Sequence, residues 1–322
     1  MRIGIDLGGT NIAAGLVNND GVLVNKANVK TNLNDNGKFI IDDMVSLVKK
    51  LLDKNNLNIN DLNSIGIGVP GTVRYEKGIV AECVNLGWKE VPLAENINSK
   101  IKETFNTEKD VKILIENDAN AAALGEHLVG SMQDCNSALL ITLGTGVGGG
   151  LVLNKKVHRG KDGAALEIGH MIIGENFYNC SCGNNGCFET FASATAIIKY
   201  AQELIKSGEK SIINDKVNGD LNKIDAKIVF DSAREGDKVG NLTLDRFIKY
   251  LATGINNLIN VLDLDVIAIG GGVVAGSDLF MHKLIQYIKD HKLFKSLELC
   301  KIEKAQLGND AGIIGSAMLD RI

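Results

Sequence analysis

The chain alternates short apolar runs with amphipathic stretches of helical period. Arg2-Ile-Gly-Ile-Asp-Leu predicts a strand, and a tight Gly turn with a return strand to Val17 makes it a hairpin. A helical stripe follows from Lys38 to Leu52, then a strand from Ser64 to Val69 that Pro70-Gly71 ends. A strand over 111–115 leads into a helix over 119–126. The hairpin pattern then recurs: Leu139 to Leu143, a Gly-rich turn, and a second strand turning at Asn154. Ser193 caps a helix whose apolar face carries Ile197, Ala201 and Leu204, and Gly208 ends it. Leu244, Phe247, Ile248, Leu251, Ile255, Leu258 and Leu262 mark another long helix. Val266-Ile-Ala-Ile is a buried strand entering a third Gly turn, Gly270 to Gly272. A strand near 298–301 and a helix over 309–319 close the chain. Strands and helices interleaved in this way predict an α/β protein.

At 322 residues the chain exceeds one ordinary core, which predicts two domains. A net charge of -4, with no basic block, argues against a nucleic-acid partner. No signal-peptide pattern opens the chain, and no apolar run is long enough to span a bilayer. Six Cys in such a composition suit a reducing cytoplasm and a metal site better than a disulfide framework.

Those cysteines sharpen the picture. His170, Cys180, Cys182 and Cys187 form H-x9-C-x-C-x4-C, a donor set that fits structural zinc. Gly183 and Gly186 let the short loop turn sharply, and Glu167 and Glu189 flank it. The alternatives are three buried thiols or a strained disulfide. The first hairpin turn offers Asp6 at the strand end, room at Gly8 and Gly9, and donors at Thr10 and Asn11. Converging turn amides form a nest for an anion such as phosphate. Leu143-Gly144-Thr145-Gly146 repeats Leu7-Gly8-Gly9-Thr10, which suggests a duplicated domain with one phosphate turn in each half. Gly144, Gly146 and Gly149 also fit a dinucleotide fingerprint, but that motif opens a helix and here a strand continues. Gly271 and Gly272 would permit close approach of a flat ligand. Asp118 lies between a strand end and a helix start, where α/β sheets bind ligands; a plain N-cap is the other reading.

Several motifs now stand in fixed order: Asp6-Leu-Gly-Gly-Thr-Asn11, Gly68-Val-Pro-Gly71, Asn85-Leu-Gly-Trp88, Glu116-Asn-Asp-Ala-Asn-Ala-Ala-Ala-Leu-Gly-Glu126, Gly144-Thr-Gly-Val-Gly-Gly-Gly150, Glu167-Ile-Gly-His170, Cys180-Ser-Cys-Gly-Asn-Asn-Gly-Cys-Phe-Glu189 and Gly270-Gly-Gly272. Together they resemble the ROK family (repressor, open reading frame, kinase), and within it the bacterial glucokinases. The resemblance implies an actin-like ATPase fold, with two ribonuclease-H-like α/β domains facing each other across a cleft. Their expected bounds are 1–118 with about 303–322, and 119–302 with the zinc loop. It implies ATP-dependent phosphorylation of a hexose at its 6-hydroxyl, most simply glucose, with N-acetylmannosamine or fructose as alternatives. Carried over, Asp118 is the catalytic base. Gly71, Asn85, Asn117, Asp118, Glu167, His170 and Glu189 bind the sugar. Asp6 holds Mg2+ through water. Gly8, Gly9, Thr10, Asn11, Gly144, Thr145 and Gly146 cradle phosphates, and Gly271 and Gly272 face the nucleoside. The zinc is structural, and a homodimer is usual. A sugar-binding regulator of the same family is the distant alternative. Such regulators carry an N-terminal helix-turn-helix, for which a first strand starting at residue 3 leaves no room. Ala165-Leu166 departs from the family pattern, which often has a small residue and Gly before the Glu. Phe188 stands where Leu is common.

Overall fold

The computed structural model describes residues 1–33 and 38–322. Three strands come first: β1 (Arg2–Leu7), β2 (Asn11–Val17) and β3 (Leu23–Lys30). Then follow α1 (Lys38–Lys54), β4 (Ser64–Val69), β5 (Thr72–Arg74), β6 (Ile79–Cys83), β7 (Trp88–Val91), α2 (Leu93–Phe105), β8 (Ile113–Asn117) and α3 (Asp118–Val129). The middle of the chain forms β9 (Ser137–Leu143), β10 (Val147–Leu153), β11 (Lys156–Val157), α4 (Glu189–Ala192), α5 (Ala194–Lys206), α6 (Ile212–Lys216) and α7 (Ala226–Arg234). The remainder is α8 (Lys238–Leu262), β12 (Val266–Gly270), α9 (Ser277–His291), β13 (Lys301–Lys304) and α10 (Ala311–Ala317).

Two five-stranded sheets share one pattern of connection, with orders β3-β2-β1-β4-β8 and β11-β10-β9-β12-β13. In the first, β2 runs antiparallel to β1, while β4 and β8 add parallel. A small sheet, β5-β6-β7, stands apart from both. Residues 1–140, 150–166 and 305–322 form one compact unit, and residues 141–149 and 167–304 the other. These borders differ from the expected domain boundary after Asp118: α3, β11 and the loop to Leu166 go with the first unit.

Glycine explains why α3 goes there. A Cβ on Gly315 of α10 would lie 1.7 Å from the Ala121 carbonyl oxygen of α3, and one on Gly66 of β4 would lie 1.7 Å from the Ser316 oxygen. Gly4 makes a similar approach to Ile313. Backbone thus meets backbone where α10 crosses β1, β4 and α3. Glu126 of α3, fully buried, accepts the backbone N–H groups of Gln306 (3.1 Å) and Leu307 (2.7 Å) and clasps the chain as it returns.

Three elements shift from their expected spans. β8 runs two residues later, because its parallel register pairs Ile65 with Ile113 and Val69 with Asn117. β13 begins at Lys301, where it pairs with Val266. The last helix is shorter, with a 3-10 turn at each end.

Candidate functional site

In the first unit, Asp6 is the penultimate residue of β1, and Asn117 and Asp118 stand where β8 hands over to α3. Asn117 is the N-cap: its Oδ1 accepts the N–H groups of Ala119 (3.0 Å) and Asn120 (3.1 Å). Its Nδ2 donates to the Gly71 carbonyl, 3.0 Å away. Gly71 has φ +91, and a Cβ there would meet the Glu82 oxygen, so only glycine suits this turn. With Asn117 making the cap, the Asp118 carboxylate accepts the Ala119 N–H at 2.9 Å and its own backbone N–H. Burial raises the pKa of Asp118. Burial first, and the Asp118 charge second, raise Asp6 from 3.8 to about 6. The structure therefore gathers Asp6, Gly71, Asn117 and Asp118 in one unit, two of them coupled electrostatically. Asn85 lies exposed in a 3-10 turn over Val84–Leu86, while Trp88 is buried beside it.

The Asp6 shift has a definite sign. Its native pKa exceeds its unfolded one, so folding takes up a proton between these two values. The metal-free protein therefore loses stability as pH rises from about 4 to 6, and the loss is constant above. Asp6→Asn should escape this penalty. The difference in melting temperature, variant minus wild type, should grow over that pH range in EDTA; a difference independent of pH would remove the burial argument.

The first Gly turn is tied down by Gly8 N–H to the Asn11 oxygen (2.9 Å) and by Thr31 Oγ1–H to the Gly8 oxygen (2.7 Å). Gly9, Thr10 and Asn11 are exposed. In the second unit, Gly144 N–H bonds the Gly146 oxygen (3.0 Å), and Thr195 Oγ1–H bonds the Thr145 oxygen (2.7 Å). Gly271 has φ +85 and sits against the backbone of Leu143, which brings the third turn beside the second. Gly144, Thr145 and Gly272 then line one cavity of about 430 Å³. A Cβ at Gly9, Gly144 or Gly272 would meet nothing within 4 Å, and none of the three has a positive φ that requires glycine. The protein itself gives no steric reason for glycine at these three positions.

Phe230, Asp231 and Arg234 of α7 form another wall of this cavity. Sequence reasoning missed this helix. Its amphipathic stripe was the available signal. Arg234 is held by a bidentate pair with Asp278.

The zinc motif closes as a cluster. His170, Cys180, Cys182 and Cys187 each offer one donor atom, all within 4.8 Å of one another. Cys180 Sγ is 3.6 Å from His170 Nδ1, and Cys182 Sγ is 3.6 Å from Cys187 Sγ. A zinc tetrahedron with bonds of about 2.0–2.3 Å has edges close to this length. Without metal, the Cys182 thiol is drawn down to about 7, mainly by the Asn184 backbone amide. These residues fit zinc in both chemistry and spacing. Glu189 accepts from Cys180 Sγ at 3.0 Å. A Cβ on Gly146 would crowd the same carboxylate, so Glu189 links the cluster to the second Gly turn. Cys182→Ala should abolish any stoichiometric uptake of zinc and lower the melting temperature of protein supplied with zinc. A variant that melts like the zinc-supplied wild type would remove the structural role.

Of the two departures from the family pattern, packing accounts for Phe188, whereas the backbone at Leu166 favours the family's glycine. Phe188 is fully buried, its ring against Gly254 of α8. It belongs to the core. Leu166 has φ +66, in the left-handed region. A glycine there is free of the roughly 1–2 kcal/mol that an L residue loses. Leu166→Gly is therefore expected to raise the melting temperature; a fall would show that the Leu side chain packs better than its backbone is strained.

The ROK family matches residues 2–321 of this chain. A glucokinase of Halalkalibacterium halodurans is 36% identical, covering 98% of this chain and 94% of that protein. A putative xylose repressor of Caldicellulosiruptor sp. is 31% identical over 98% of this chain and 76% of that protein. Among solved structures, a ROK family glucokinase from Streptomyces griseus in complex with glucose and AMPPNP superposes with TM-score 0.82 at 29% identity, covering 99% and 98% of the two chains. The fold is accordingly the actin-like ATPase fold.

Proposed function

The chain belongs to the ROK family, and from that premise we propose that it is a glucokinase-type enzyme, transferring the γ-phosphoryl group of ATP to the 6-hydroxyl of a hexose, glucose first. The observation that carries this reading is Asp118: a half-buried carboxylate of raised pKa at a strand end, where Asn117 and not Asp118 caps the helix. Its raised pKa suits a base that aligns the hydroxyl and accepts its proton late. As the sugar oxygen bonds to phosphorus, the bond from phosphorus to the bridging oxygen of ADP breaks, and the proton passes to Asp118. Phosphoryl transfer asks for positioning and charge stabilisation more than covalent help.

In this reading the Gly8–Asn11 and Gly144–Gly146 turns receive phosphates, and the cavity beside Gly271 and Gly272 takes the nucleoside. Asp6 would hold Mg2+, which would neutralise phosphate charge. Asn85, Asn117, Glu167, His170 and Glu189, with the Gly71 backbone, would bind sugar hydroxyls. Structural zinc would fix His170 and the cysteine loop. A cluster of unpaired thiols suits the cytoplasm, and no helix among the described residues is long and apolar enough to cross a membrane. The reading includes the homodimer usual in the family.

A coupled assay with ATP, magnesium and a panel of glucose, N-acetylglucosamine, mannose, N-acetylmannosamine, fructose and no sugar tests it. Turnover that depends on glucose is expected. Turnover with an acetamido sugar alone would keep the mechanism and move the substrate. No sugar-dependent turnover by zinc-loaded protein would overturn the kinase and favour a sugar-binding regulator, the alternative that the repressor relative keeps in view.

A further inference from the structure

Glu116 precedes the Asn117-Asp118 pair and is fully buried at the end of β8. A buried carboxylate is costly unless it is paired and hydrogen-bonded. Here both oxygens are used. Oε1 accepts the backbone N–H of Asn117 at 3.0 Å and Nδ2–H of Asn120 at 3.2 Å. Oε2 accepts Nε–H of Arg159 at 2.5 Å. The Arg159 guanidinium lies 3.9 Å from the centre of the Tyr75 ring, which holds its plane. The loop bearing it is closed by Ala165 N–H to the Arg159 oxygen at 3.2 Å, and Gly163 lies against the Val73 carbonyl.

Arg159 therefore fixes one edge of a carboxylate whose other edge holds the Asn117 amide and α3 through Asn120. Asn117 in turn caps α3 and grips Gly71. We propose that Arg159, acting through Glu116, is a positioning residue that sets Asn117 and Asp118 for phosphoryl transfer. This rests on the reading of Asp118 as the base. Plain charge compensation is the competing role: a buried Glu needs a cation, whatever that cation does for its neighbours.

Arg159→Met, Glu116→Gln and the double variant separate the two roles. Arg159→Met should lower kcat by about a hundredfold, the scale of a small misplacement in a catalytic site. The double variant carries neither charge and should regain most of the melting temperature lost in Arg159→Met. Its kcat should stay low, because the residue 116 amide keeps acceptors for Asn117 and Asn120 on one edge but loses the Arg159 anchor that fixes the other. If kcat recovers together with melting temperature, Arg159 only compensates charge and the proposal fails. Should Arg159→Met fold poorly, the double variant carries the kinetic comparison.

Amide hydrogen exchange supplies a readout that needs no turnover. Protection at Asn117, Ala119 and Asn120 should fall in the double variant relative to wild type; unchanged protection overturns the positioning role. Absence of sugar phosphorylation by the wild-type protein would instead remove the kinase reading, and exchange would still decide whether Arg159 orders this strand end.

Discussion

Asp118→Asn is expected to bind hexose about as well as the wild type and to lose turnover by at least about a hundredfold, the usual size of a general-base effect. The substitution preserves shape and removes the proton acceptor. Asn117, and not Asp118, caps α3 through its side chain, so the helix start should survive. The Ala119 N–H that Asp118 accepts retains the Asn117 Oδ1 as a partner. Removing a poorly solvated charge that is costly beside Asp6 should even favour folding above the Asp118 pKa. Kinetics of purified protein with calorimetric sugar titration would check both halves. Near-normal kcat would take Asp118 out of the base role. Lost sugar affinity with a normal melting temperature would make it a binding residue first.

The second large effect is on folding. Gly315→Ala should destabilise the first unit by about 3 kcal/mol or more, the upper range for overpacking. A new methyl would stand 1.7 Å from the Ala121 oxygen, a backbone atom that no rotamer can move aside. Relief requires α10 to shift off α3, and with it the approaches at Gly4 and Gly66. Gly144→Ala is the matched control, since its methyl enters open space. That variant should melt like wild type and show its effect only on nucleotide affinity. If Gly144→Ala is as unstable as Gly315→Ala, the division between packing glycines and ligand-facing glycines is wrong. Thermal unfolding at one pH, with and without ATP, reads both.

The same division shows what could be read from the chain alone. The His/Cys cluster was legible because donor chemistry and loop length are local: Cys180, Cys182 and Cys187 lie close in sequence, so few turns can bring them together. The paired hairpins were legible because apolar strands flanking Gly turns form a pattern that recurs. Asp118 was legible as a strand-end carboxylate, although tertiary pairing decided that β8 ends at Asn117. β3 was missed because its half-exposed alternation uses Asn, Ala and Lys, and its strand form depends on β2 beside it. The β5-β6-β7 sheet was missed because its strands span only three to five residues.

Local chemistry was written in the residues: an α/β chain, two repeated Gly turns, a thiol–imidazole cluster and a carboxylate at a helix start. Which glycines carry packing and which leave room depended on how distant segments fold together. That folding also makes α7 a wall of the cavity, gives Leu166 a conformation suited to glycine, and brings Arg159 to Glu116 across 43 residues of chain. The reason is range. Periodicity, caps and ligand spacing act within a few residues, whereas a backbone approach or a buried ion pair exists only after distant segments have been folded against each other.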